Sequence, residues 1–124
     1  MSVTVIDPGA GAVILDPSDI RTIAFDWDKR SLRASVTIST SVFTITAIQQ
    51  SGTALTKDSA SILNGTDATI ACERTVGASR VTQVRLNATT ATDGDEYMLE
   101  NVIVTSENPA QTKAGSVKVM IQNR

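Results

Sequence analysis

There is no histidine anywhere in this chain of 124 residues. General acid–base chemistry near neutral pH would therefore fall to carboxylates, because His is the side chain whose ordinary pKa lies in that range. Cysteine occurs once, at Cys72, which excludes an internal disulfide and the paired Cys and His spacings of a zinc site. Aromatic residues make up only 3% of the chain, leaving Phe25, Trp27, Phe43 and Tyr97 as the whole stock for a sugar-stacking platform. Charge is sparse: the formal net charge is -2, and Lys and Arg are dispersed. The basic stripe of a nucleic-acid binder is missing, so no nucleic-acid partner is expected. No apolar run approaches membrane-spanning length, and no membrane partner is expected either. The opening stretch "MSVTVIDPGAGAVILDPSD" lacks the basic start and apolar core of a signal peptide, which points to synthesis in the cytoplasm. Gly-x-Ser-x-Gly and phosphate-loop motifs are also lacking.

Thr and Ser take the place of the missing charge, and Thr suits the pleated surface of a sheet. Alternation with a period of two runs from end to end, whereas helical periodicity is hard to find. Short apolar runs at 2–5 and 12–15 are separated by "DPGAG" and followed by "DPSD", and both Asp-Pro pairs mark turns. "RTIAFDW" at 21–27 places Ile23, Phe25 and Trp27 on one face of a strand. The longest β-like stretch is 34–50, with a change of phase around Thr40–Val42 that predicts a bulge, bend or turn. A strand at 59–63 is closed by "NGTD", a hairpin signal, and "ATIAC" at 68–72 reads as the returning strand, with Ala68, Ile70 and Cys72 together. Strands at 80–88, from 93–106 and over "SVKVMIQ" follow, with "ENPAQTKAG" at 107–115 as the most exposed loop.

Seven to nine short strands at roughly ten-residue spacing predict an all-β fold, an immunoglobulin-like antiparallel β-sandwich. Residues 21–124 form the sandwich, and 1–20 are an N-terminal arm or a set of edge strands. A chain of this length can bury about two-thirds of its unfolded surface, so one core without staples suffices. "DGDEY" at 93–97 places Tyr97 where such sandwiches carry a tyrosine corner, its hydroxyl folding back onto the preceding turn.

Four chemical possibilities arise from these residues. Asp26 and Asp28 share a strand face opposite Phe25 and Trp27, which suits a glycosidase-like carboxylate pair, although a solvent-facing edge is the preferred reading. "DGDE" at 93–96 offers oxygens to calcium, but the acidic spacing of an EF-hand loop is not continued and turn chemistry accounts for it. Cys72, flanked by Glu73 and Arg74, reads as a small buried hydrophobe rather than an activated thiol. The four aromatics each have a core position by strand phase. No catalytic, cofactor-binding or metal residues are assigned, and no cofactor is expected.

A resemblance rests on the order of several short elements. "FDW" at 25–27 is followed by "SVTIS" at 35–39, "FTI" at 43–45, "LTKDSASI" at 55–62, "GDEY" at 94–97 and "NVIVTS" at 101–106. In that order, over roughly residues 22–121, the chain resembles the small immunoglobulin-like structural domains known as phage fibre-to-tail adaptor proteins. It departs from them in carrying "NATTATD" before the Gly-x-x-Tyr element and "ENPAQTKAG" after Thr-Ser. The resemblance implies a tailed-phage or prophage virion structural protein, not an enzyme, made in the host bacterial cytoplasm and located in the virion. Its implied partners are other virion proteins (tail, fibre, portal or capsid), or further copies of itself in a homo-oligomer. Related domains decorate phage heads, so a capsid decoration protein is the alternative, and a carbohydrate-binding module on the particle surface is a third reading.

Overall fold

The computed structural model describes residues 3–7, 11–28 and 32–122. In chain order the elements are β1 (Val3–Ile6), β2 (Ala12–Leu15), β3 (Ile20–Asp26), β4 (Ile38–Gln49), β5 (Thr56–Ile62), α1 (Gly65–Cys72), β6 (Val81–Asn87), β7 (Glu96–Thr105) and β8 (Thr112–Ile121). They build two packed four-stranded sheets. The first has the order β1-β3-β6-β5 and the second β2-β8-β7-β4. With β3, β6 and β5 facing β4, β7 and β8, this is the immunoglobulin-type division of strands B, E, D from C, F, G.

Period-two alternation does what the sequence requires of it. Ile23, Phe25, Trp27, Val84, Leu86, Tyr97, Leu99, Ile103, Val117, Val119 and Ile121 all point between the sheets and form one core. Phe25 lies 6.4 Å from Trp27 and meets the edge of Phe43 at 5.6 Å, centroid to centroid. Leu99 occupies the strand position where antibody-type domains carry a Cys, and is fully buried.

The sandwich is not antiparallel throughout. β1 pairs parallel with β3, and β2 pairs parallel with β8, while the remaining neighbours are antiparallel. The described part of residues 1–20 thus lies in this chain's own sheets as two edge strands, one per sheet. The phase change in the long strand is resolved as two register shifts, at Ile38/Thr40 and Ala47/Gln49, rather than one near Thr40–Val42. β8 begins at Thr112, so the loop expected over 107–115 is shorter than its composition suggests.

"NGTD" and "ATIAC" are where the strand expectation fails. Asn64 caps a helix: its side-chain oxygen accepts from the Asp67 N–H at 2.8 Å. Asn before Gly serves either a hairpin turn or an N-cap, and Asp67 in the first turn favours the helix through its dipole. The buried positions are then Ala68 with Ala71 and Cys72 partly covered, at helical spacing. Ile70, assigned to the core by strand phase, is 71% exposed. The helix crosses the outer face of the first sheet and packs on Ala24, Leu63, Val76 and Val81. It ends at Glu73, whose left-handed φ of 57° turns the chain back.

Candidate functional site

β3 is covered on both faces, by the second sheet on one side and by α1 with its following loop on the other. Its last turn of sequence, Phe25-Asp26-Trp27-Asp28, therefore sends side chains into two separate networks.

On the inner face the Trp27 indole N–H donates to the Thr82 hydroxyl at 3.1 Å and to the Asn101 side-chain oxygen at 3.0 Å. Thr82 also donates to that oxygen, at 2.6 Å. The Asn101 amide then donates to Ser41 Oγ at 2.8 Å and to the Val42 carbonyl at 3.1 Å. Thr82 and Asn101 are fully buried. The chain of bonds joins β3 and β6 of one sheet to β7 and β4 of the other. A buried polar network with every member partnered fixes the mutual position of its elements. Its only sequence signal was an Asn at a core phase, between Leu99 and Ile103.

On the outer face Asp26 and Asp28 are brought together, but not at a solvent-facing edge. The Asp26 side chain is 4% exposed and accepts two bonds from Arg74, at 2.9 and 3.2 Å. Arg74 Nη2 reaches Asp28 as well, at 2.8 Å. Arg80 binds the other Asp28 oxygen through Nε, and donates to the carbonyls of Leu32, Arg33 and Val36. The edge reading fails because the loop after α1 drops Arg74 over this face of β3. The hydrogen bond from Arg80 holds the Asp28 carboxyl below the usual carboxylate range, aided by the charges of both arginines. Asp26 in turn holds the Arg74 guanidinium firmly protonated. A hydrolytic pair needs one carboxylate able to take up and release a proton near neutrality. Asp28 is held as an anion by Arg80 and Arg74, and both Asp26 oxygens are taken up by Arg74. The arrangement is a clamp that ties α1 and the 32–36 segment to β3.

Cys72 closes the helix beside this clamp. Burial pushes its thiol up, Asp26 adds to the effect, and Arg74 opposes it only in part. A raised thiol is a weak nucleophile. Cys72 is half-buried on a helix end rather than a core residue on a strand.

The "DGDE" turn is organised by its own contacts. Gly94 takes the left-handed φ of 92°, and its N–H donates to the Ile121 carbonyl at 2.7 Å. The Asp95 carboxylate, 1% exposed, accepts from the Ser51 N–H and hydroxyl at 3.0 and 2.8 Å. Among the described residues no group of three or more acidic or sulfur ligands is gathered for a metal. The tyrosine corner does not form. The buried Tyr97 hydroxyl lies near the Leu55 backbone and the Asp95 carboxylate, with no partner at full hydrogen-bond geometry. Its burial pushes the phenol up.

All four aromatic side chains are buried, Trp27 at 1% exposure, so no ring face is offered to a sugar. Among the described residues, hollows open on the surface. One of about 600 Å³ lies beside Asp28 and Arg80, whose charges already satisfy each other. Another, about 230 Å³, lies between α1 and the first sheet against Val3, Thr22, Ile70 and Gln83.

The outer face of the second sheet is different. No described element covers it. Register places Val42 beside Val102 and Ala114, and Thr46 beside Met98 and Lys118, with Glu100 next to Thr44. Lys118 forms an ion pair with Glu96 on the same face. No protein-family model and no curated protein matches the chain.

Proposed function

We propose that this chain is a structural protein of a tailed-phage or prophage virion, an adaptor at the tail or fibre attachment that works by protein–protein contact. It is made in the bacterial cytoplasm and binds other virion proteins of the tail, fibre, portal or capsid. The observation that carries the reading is the uncovered face of the second sheet. Valine and methionine side chains there mix with a few charges, the composition of a contact surface rather than of a cleft. The Asp26 and Asp28 carboxylates that offered chemistry are engaged with Arg74 and Arg80 in holding the fold. The order of elements from "FDW" to "NVIVTS" supports the choice of a phage adaptor among contact proteins.

Quantitative mass spectrometry of purified particles against the major capsid protein tests this. A few to a few dozen copies per particle is the expected result. A count comparable to the capsid protein would replace the adaptor with a head decoration protein or a major tail component. Absence from particles would remove the virion reading. The carbohydrate-binding alternative is not retained, because it required an exposed Trp27.

A further inference from the structure

An edge strand presents unpaired N–H and C=O groups, a template on which another chain can add a strand. Among the described residues the two sheets end in β1, β5, β2 and β4, and three of these strands carry a safeguard. β1 and β2 are four residues long. β5 bears Lys57 and Asp58 and a bulge between Lys57 and Ser59. β4 lacks these devices over its central part. It is twelve residues long and holds no charge, no Pro and no Gly. From Thr40 to Ala47 it pairs with β7 without a shift in register. The uncharged run extends well beyond it, from Ala34 to Thr56.

β4 is also complementary to itself. An antiparallel copy laid along it, with the two-fold axis at Ile45, sets Thr44 opposite Thr46 of the partner subunit. Val42 then faces Ile48 of the partner subunit, and Phe43 faces Ala47 of the partner subunit. Val42 and Ile48 are 58% and 53% exposed, and this register brings them together at the irregularity between Ala47 and Gln49. Apolar and Thr–Thr cross-strand pairs are favourable, and no like charges meet. A two-fold contact of one strand with itself closes, so the product is a dimer rather than a filament.

We propose that β4 pairs antiparallel with β4 of a second copy, joining two four-stranded sheets into one eight-stranded sheet. The dimer is a property of the isolated chain, so its failure and the failure of the virion reading are separate results.

Sedimentation equilibrium of the full chain tests it. The wild-type chain is expected to be dimeric at micromolar concentration. Thr44→Lys combined with Thr46→Lys places like charges opposite each other twice across the axis, and is expected to weaken the dimer by about tenfold or more. Thr44→Lys combined with Thr46→Glu places opposite charges there, and is expected to restore it. Both threonines are exposed and position 44 neighbours Glu100, so thermal unfolding of either variant should match the wild type. If a double variant fails to fold, Val42→Lys at the same exposed face should weaken the dimer. A wild-type chain still monomeric at about 100 µM would overturn the proposal. So would a dimer indifferent to the lysine pair, or one abolished equally by the lysine pair and the lysine–glutamate pair.

Discussion

The indole N–H of Trp27, one residue past the end of β3, donates to the side-chain oxygen of Asn101 in the opposite sheet at 3.0 Å. Asn101→Leu keeps the side-chain size and removes the acceptor, leaving Trp27 with Thr82 alone. The expected loss is about 1–3 kcal/mol, the scale for a buried polar group that loses its partner. Urea denaturation followed by the single Trp measures it, and a loss below about 0.5 kcal/mol would show that the network adds nothing to stability. Trp27→Ala removes ring and network together and should cost roughly 3–5 kcal/mol.

Arg74→Met leaves the buried Asp26 carboxylate without its bidentate partner. Arg74 is itself 35% exposed, so solvent screens part of the interaction. A loss of about 1–3 kcal/mol is expected. Adding Asp26→Asn should recover part of it, because the uncompensated charge is gone. A double variant whose loss equals the sum of the single losses would mean that the two residues are not coupled.

Asp28 titrates below the ordinary Asp value when folded, chiefly through its hydrogen bond with Arg80. Its contribution is therefore complete above the unfolded value of about 3.9 and is lost as pH falls below that toward the folded value. Asp28→Asn should flatten the acid limb of a stability–pH curve below about pH 4. Cys72 and Tyr97 behave in the opposite sense. Their folded values are raised, so the unfolded chain loses these protons first and stability falls as pH climbs past about 9 and 10 respectively. Alkylation of Cys72 at pH 8 should accordingly be slower than that of a free thiol.

Glu73 holds a left-handed conformation that glycine adopts without a Cβ penalty. Glu73→Gly should stabilise the chain by about 0.5–1 kcal/mol, read as an increased urea midpoint at unchanged slope. A decrease would mean that the Glu73 side chain makes a contact worth more than the strain it carries.

The sandwich was legible wherever a strand buries one face. β7 and β8 alternate cleanly, as does β6 from Thr82 onward, and Val84, Leu86, Leu99 and Val119 sit where period two puts them. β3 defeats that logic because α1 covers its second face, turning Asp26 from an apparent surface residue into a buried one. Nothing local announces this: Arg74 and Arg80 lie 46 to 52 residues from the carboxylates they bind. Asn64-Gly65 was ambiguous because one side chain suits both a turn and a cap. The uncharged stretch around β4 was plain in the sequence, but only the strand order made it an edge.

Of the eight strands β2 is synthesised second, and its partner β8 last. At ordinary translation rates Val13 and Leu15 wait on the order of ten seconds before β8 leaves the ribosome to cover them. A chain cut short before Thr112 would leave β2 without a partner and β7 as a bare edge. Premature termination should therefore yield a protease substrate rather than a smaller working domain.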